Sequence, residues 1–258
     1  MKESTEILLK ENLKALNLSH MGANIEHLVR QARESGAALE EFILSLTDYE
    51  LQVRGENRLK RKLRDAKFPL LKTFETFDYA AASDLDKRLF RELESGEYIK
   101  KHRNIIFLGK SGTGKTHLAT ALGICACREG VPTRFITSCA LVNELIEAQN
   151  ERTLSRAIQK YSRCGLLVLD ELGYVPFSRQ SAELLFQVLT ERHERGSVII
   201  TTNLGFADWT QVFGEATLTA ALLDRLTHNA HIVNCTWESY RLKETLTNRK
   251  GLIKKTGG

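Results

Sequence analysis

The sequence holds 258 residues, 42% of them apolar and 27% charged, with a formal charge of +5. That length leaves room for a small domain beside a larger one, and the apolar content suffices for a packed core. No run approaches the roughly 18 apolar residues of a membrane-spanning helix, so none is expected, and the modest positive charge is compatible with nucleic acid without establishing it.

The chain begins Met1-Lys2-Glu3-Ser4-Thr5-Glu6, which is charged and unlike a secretory signal. Five cysteines, at 125, 127, 139, 164 and 235, have no metal-ligand spacing. They read as reduced, mostly buried residues of a cytoplasmic protein. Residues 5 to 65 read as helical throughout. Ile7, Leu8, Leu13 and Leu16 mark a first helix. A second opens near Asn24 and turns Ile25, Leu28, Val29 and Ala32 inward, and Gly36 breaks it. Leu39, Phe42, Ile43 and Leu46 then continue the helical period. Residues 1–67 are therefore expected to form a helical N-terminal domain that binds a partner or DNA.

That domain ends in a basic stretch containing Arg58, Lys60, Arg61, Lys62 and Arg64 around Leu59 and Leu63. Such a helix can lie along DNA phosphates, or it can be a solvated helix end whose cations suit the C-terminal dipole. Pro69 is expected to stop the helix. The connector over 68–80 is too apolar for a free linker. Phe68, Phe74 and Phe77 are expected to pack on the next domain, and the sequence does not choose which of them meets a bound base.

Asn104-Ile105-Ile106-Phe107-Leu108 reads as a buried strand. It enters Gly109-Lys110-Ser111-Gly112-Thr113-Gly114-Lys115-Thr116, the pattern G-x-x-x-x-G-K-[ST], and a helix from Thr116 to Cys127 leaves it. Backbone N–H groups of such a loop and the helix N-terminus face phosphate oxygens. Lys115 supplies a charge for the β and γ phosphates, and Thr116 an oxygen for Mg²⁺.

A strand at 133–137 follows, then helical stretches at 140–148 and 152–161. Arg152, Arg156 and Lys160 recur every four residues and are expected to share one helical face. They can contact DNA phosphates, or pair with Glu144, Glu147 or Glu151. The strand Gly165 to Asp170 is apolar until its acid. Asp170 can hold Mg²⁺ and Glu171 can polarise an attacking water. A helix at 182–193 leads to the strand 198–202, after which Asn203 can touch both that water and the γ-phosphate. A helix at 217–226 and a strand at 231–233 complete the alternation, which argues for a parallel sheet covered on both faces.

The stretch Asn104 to Ala119, with Leu169-Asp170-Glu171-Leu172-Gly173, Thr201-Thr202-Asn203, Leu223-Asp224-Arg225-Leu226 and Ser239-Tyr240-Arg241, resembles the IstB family of ATP-binding transposition helpers. That family belongs to the AAA+ ATPases, close to the helicase loader DnaC and related to the initiator DnaA. The resemblance covers about residues 5 to 250. It implies an α/β fold: an AAA+ P-loop NTPase, a three-layer sandwich with a five-stranded parallel sheet, preceded by a small all-helical domain. The ATPase domain is expected over 68–250. The short stretch after Val233 implies a truncated or absent C-terminal lid, with one short helix at about 238–249 and a flexible basic tail at 251–258.

The resemblance also implies roles. Gly109, Lys110, Ser111, Gly112, Thr113, Gly114, Lys115, Thr116, His117 and Asp170 would hold ATP, with Mg²⁺ on Thr116 and Asp170. Glu171 and Asn203 would serve hydrolysis. Arg225 would reach the ATP of a neighbouring subunit, and Arg241 would act in cis as a second sensor. The extra helix carrying Arg152, Arg156 and Lys160 would lie toward DNA. The implied function is an ATPase that assembles as a homo-oligomer on double-stranded DNA, with ATP between subunits, and recruits or stimulates a transposase. A DnaC-like loader of a replicative helicase is the alternative, disfavoured by the helical N-terminal module.

Overall fold

The computed structural model describes residues 3–82 and 84–240, and the chain divides between Arg61 and Lys62 into two compact units. Residues 241 to 258 lie outside the described residues, and with them Arg241, most of the helix expected at 238–249 and the expected tail. No described helix is long and apolar enough to cross a membrane.

The first unit is helical. α1 (Glu3–Ala15) and α2 (Ser19–Ser35) precede α3 (Leu39–Ala66), which continues into the second unit. α2 opens at Ser19 rather than near Asn24, because the loop after α1 is only a few residues long. Gly36 closes α2 in the left-handed conformation, φ 65°, and its N–H donates to the Ala32 carbonyl. Met21 and Ile25 are buried. The buried Glu50 accepts the Met21 N–H and the Arg54 Nε–H, each at 2.7 Å. Ile7, Leu8, Leu16, Leu39 and Ile43, which mark the helical period in the sequence, are exposed. A unit of about 60 residues buries only a little over half of its surface, so an apolar period does not by itself assign every residue to a core.

α3 ends at Ala66 because Lys67 turns left-handed, φ 60°, two residues before Pro69. After a short 3-10 turn (Phe74–Thr76) come α4 (Lys87–Glu94) and α5 (Glu97–Lys100). The Asp86 carboxylate caps α4 by accepting the N–H groups of Arg88 and Leu89. The α/β core follows as β1 (Ile105–Gly109), α6 (Lys115–Arg128), β2 (Thr133–Thr137), α7 (Ser138–Asn150), α8 (Leu154–Ser162), β3 (Leu166–Leu172), α9 (Arg179–Arg192), β4 (Ser197–Thr202), α10 (Trp209–Phe213), α11 (Ala216–Thr227) and β5 (His231–Cys235).

The five strands form one parallel sheet in the order β2-β3-β4-β1-β5. Alternate strand residues serve opposite faces. Ile105, Phe107, Leu166, Val168 and Ile199 pack with α4, α5 and α6. Ile106, Leu167, Leu169, Val198 and Ile200 pack with α7 to α11. This is the expected three-layer sandwich, and it explains why the strands read as continuous apolar runs. The cysteines are free thiols; Cys127, Cys164 and Cys235 are buried, and Cys125 and Cys139 half-buried.

Candidate nucleotide-binding site

The loop Gly109–Gly114 sits at the C-terminal edge of β1, the end of an open parallel sheet where ligands collect. Two of its glycines are obligatory. A Cβ at Gly109 would lie 2.4 Å from the Cys235 carbonyl oxygen. Gly114 has φ 87°, and a Cβ there would lie 2.8 Å from the Phe77 ring. Gly114 is also the N-cap of α6 and offers no capping side chain. The first-turn N–H groups of this 14-residue helix are thus left for an external acceptor, which fits a bound phosphate.

Lys115 is 5% exposed, and its Nζ donates to the Gly109 and Lys110 carbonyls of its own loop at 2.7 and 2.8 Å. Thr116 Oγ1 donates to Asp170, 3.0 Å from Oδ1 and 3.2 Å from Oδ2. Thr201 Oγ1 also donates to Asp170 Oδ1 and accepts the Glu171 N–H at 3.0 Å. Thr116 and Asp170 present only oxygen, the donor set Mg²⁺ prefers, and Mg²⁺ commonly takes one or two protein oxygens beside phosphates and water. No cluster of three His, Cys, Asp or Glu side chains that could hold a metal stands among the described residues.

β3 carries an irregularity between Leu169 and Leu172 in its pairing with β4. Within it Asp170 is buried and Glu171 exposed, and Glu171 has φ 59°. Such a bulge re-aims side chains at a sheet edge, and a left-handed glutamate persists only where its surroundings hold it. Two bonds do so here: Thr201 Oγ1 on the Glu171 N–H, and the Ser138 hydroxyl donating to the Glu171 carbonyl at 2.9 Å. Asn203 follows β4 and is exposed at the same edge.

Among the connector aromatics, Phe77 is the one beside the loop. It touches Gly114 and packs edge-on against His117 and Tyr79, ring centroids 5.2 Å apart in both cases. Phe68 instead packs on Gly123 and Phe135, and the buried Phe74 on Phe90. His117 turns toward the connector: its Nε2 lies 2.8 Å from the Thr73 carbonyl and 3.2 Å from Thr76 Oγ1. Burial holds the His117 ring below the usual histidine range, which suits a neutral ring donating to that carbonyl.

Arg225 lies near the end of α11, away from the loop. It lines a cavity of about 170 Å³ beside Asn104, Gly196 and Val198, where β1 and β4 begin. Its Nη1 donates to the Ala221 carbonyl at 2.9 Å and its guanidinium lies 5.2 Å from the Phe186 ring centre. It forms no ion pair with Asp224 among the described residues.

Arg152, Arg156 and Lys160 do not share one helical face. α7 ends at Asn150 and α8 begins at Leu154, and Arg152 occupies the turn between them with φ 59°. Lys160 Nζ pairs with Glu144 at 2.6 Å, and Arg156 lines a surface groove with Glu144, Glu147 and Glu151. The even spacing misleads because a helix break falls inside it. Arg58, Lys60, Arg61 and Arg64 are exposed and Lys62 half-buried on α3.

Sequence reasoning missed the bracing residues. Thr201 and Ser138 shape the acidic edge, and Trp237 and Tyr240 touch the loop backbone. Thr201 and Tyr240 left a trace, as members of the motifs Thr201-Thr202-Asn203 and Ser239-Tyr240-Arg241, but no sequence signal assigned either a bracing role.

The family model described as IstB-like ATP binding protein matches residues 11–248. An insertion sequence IS21 protein of Pseudomonas aeruginosa is 38% identical over 232 residues, 90% of this chain and 88% of that one. An insertion sequence IS232 protein of Bacillus thuringiensis subsp. berliner is 35% identical over 236 residues, 92% and 94% of the two chains. A solved DNA replication initiation factor superposes with a TM-score of 0.55 at 18% identity, over 70% of this chain and 54% of that one, a likeness of fold alone. The AAA+ P-loop fold, the helical N-terminal unit and the match over most of the chain agree: the chain belongs to the IstB family.

Proposed function

We propose that this protein is an ATP-dependent regulator of transposition. It binds ATP and Mg²⁺ at the Gly109–Thr116 loop, assembles as a homo-oligomer on double-stranded DNA, and recruits or stimulates a transposase. Hydrolysis of ATP resets the assembly. The observation that carries the reading is the meeting of Thr116 with Asp170 at the mouth of the glycine loop, together with the family's description as ATP binding. The insertion-sequence names of the relatives support the transposition part.

Each residue has a proposed task. The loop amides and the first turn of α6 bind the phosphates, Lys115 leaves its carbonyl partners to neutralise them, and Phe77 borders the base. Thr116 and Asp170 would hold Mg²⁺, which supplies charge neutralisation on the phosphates when bound. Glu171 takes the proton of the attacking water, and Asn203 orients that water. Arg225 lies at the far end of the strands from its own loop, which suits a guanidinium acting on a neighbour's γ-phosphate. Arg152 and Arg156, with the basic stretch of α3, supply phosphate contacts to DNA.

Lys115→Ala tests the nucleotide reading. Labelled-nucleotide affinity should be lost while circular dichroism stays that of the folded protein; retained affinity would remove the assigned role. The transposition reading is tested by a strand-transfer assay with a candidate transposase from the same genome, in which ATP and this protein together should raise product yield; an unchanged yield would remove the transposition part.

A further inference from the structure

The chain beyond β5 crosses the phosphate loop. Trp237 is 9% exposed and packed in the apolar cluster with Phe74, Phe107 and Leu118. Its indole Nε1–H donates to the Thr113 carbonyl at 2.8 Å. Three residues on, the Tyr240 backbone N–H donates to the Gly112 carbonyl at 3.0 Å. Thr236 Oγ1 lies 3.4 Å from Asp84 Oδ2, and Cys235 fills the space that a side chain at Gly109 would need.

We propose that Trp237 is a positioning residue for nucleotide: the Cys235–Tyr240 strap fixes the peptide planes of the phosphate loop so that its amides face the phosphates. The reason is peptide geometry. In a trans peptide the carbonyl and the next residue's N–H point in opposite directions. Holding the Thr113 carbonyl therefore aims the Gly114 N–H, and holding the Gly112 carbonyl aims the Thr113 N–H, away from the strap. Both planes adjoin glycines with positive φ, 81° at Gly112 and 87° at Gly114, where a peptide otherwise turns over at little steric cost. A donor anchored in the core removes that freedom before nucleotide arrives, which is preorganisation.

The inference rests on the nucleotide reading, and the experiment separates the two. Trp237→Phe in the full chain keeps an aromatic ring in the cluster and removes the N–H. Tyr240→Pro removes the other donor. Binding of a non-hydrolysable ATP analogue should weaken roughly tenfold in each. In turnover the loss should be carried by KM rather than kcat. With the analogue bound, amide exchange at Thr113 and Gly114 should be faster than in the wild-type complex while that of β1 and β4 stays protected, a pattern that general loss of packing does not produce. Where circular dichroism shows Trp237→Phe misfolded, Tyr240→Pro decides by the same readings. Lys115→Ala runs alongside. Lost binding there with wild-type affinity in the strap variants overturns the positioning role alone. Wild-type affinity in all of them overturns the nucleotide reading and this role with it.

Discussion

Thr116 and Asp170 meet at 3.0 Å although β4 lies between β1 and β3 in the sheet. The helix after β1 reaches across the end of β4 to the acid that ends the buried run of β3, and Thr201 on β4 donates to the same carboxylate from below. Asp170→Asn should therefore raise the magnesium concentration needed for tight ATP binding by about tenfold or more, since a ligand oxygen loses its charge. Thr201→Val should raise it less, because it removes a brace. Mg²⁺ titrations of ATP-analogue affinity check this, and equal curves for wild type and Asp170→Asn would remove Asp170 from the metal.

Glu171→Gln should leave ATP affinity near wild type and slow single-turnover hydrolysis by about 10²-fold or more. The amide keeps the side chain's shape and, with the left-handed backbone braced by Thr201 and Ser138, its position, yet it cannot take a proton. Hydrolysis at the wild-type rate would exclude Glu171 as the base.

Arg225→Ala should bind ATP almost normally and hydrolyse it poorly. Its local partners are a helix carbonyl and the Phe186 ring, so its charge is not consumed by Asp224. Arg225→Ala and Lys115→Ala subunits, each nearly inactive alone, should recover ATPase activity when mixed on DNA, because a mixed interface joins an intact loop to an intact arginine. Light scattering establishes co-assembly first. Co-assembly without recovery would leave Arg225 as a stability residue.

Replacing Arg152 and Arg156 by Ala should weaken DNA binding at every sequence and lower the salt slope by up to about 0.9 per lost phosphate contact. Lys160→Ala should do much less, since that ammonium already pairs with Glu144. Fluorescence anisotropy at several salt concentrations checks both. An unchanged slope in the double variant would make this surface merely solvated.

In the helical unit, burial pushes the Glu50 carboxyl up, but the Met21 N–H and Arg54 outweigh it and hold the carboxyl below its ordinary value of 4.5. A depressed carboxyl means that the unfolded chain binds the proton more readily, so this contribution is present above pH about 4.5 and lost as pH falls below it. Glu50→Ala should speed amide exchange at Met21 by roughly tenfold at neutral pH. Exchange at the wild-type rate would show that the bond does not hold α2.

The sequence alone was sufficient for what is local. The glycine loop, the acid pair ending an apolar strand, Asn203 after the next strand, and the alternation of strands with helices are all set by neighbours in the chain, through backbone geometry and hydrophobic period. Spacing failed where a boundary moved: the break expected at 149–151 falls at 151–153, so Arg152 is a turn residue and an apparent helical face of three cations dissolved into a turn, a paired lysine and one arginine among glutamates. Only the tertiary structure decided the rest. The order β2-β3-β4-β1-β5 places β4 between the loop strand and the acid strand, so that Thr201 braces Asp170. It also brings Trp237 onto Thr113, far apart in sequence. Strand order and long-range hydrogen bonds depend on how whole elements pack into one core, and local pattern carries no record of which apolar face ends beside which.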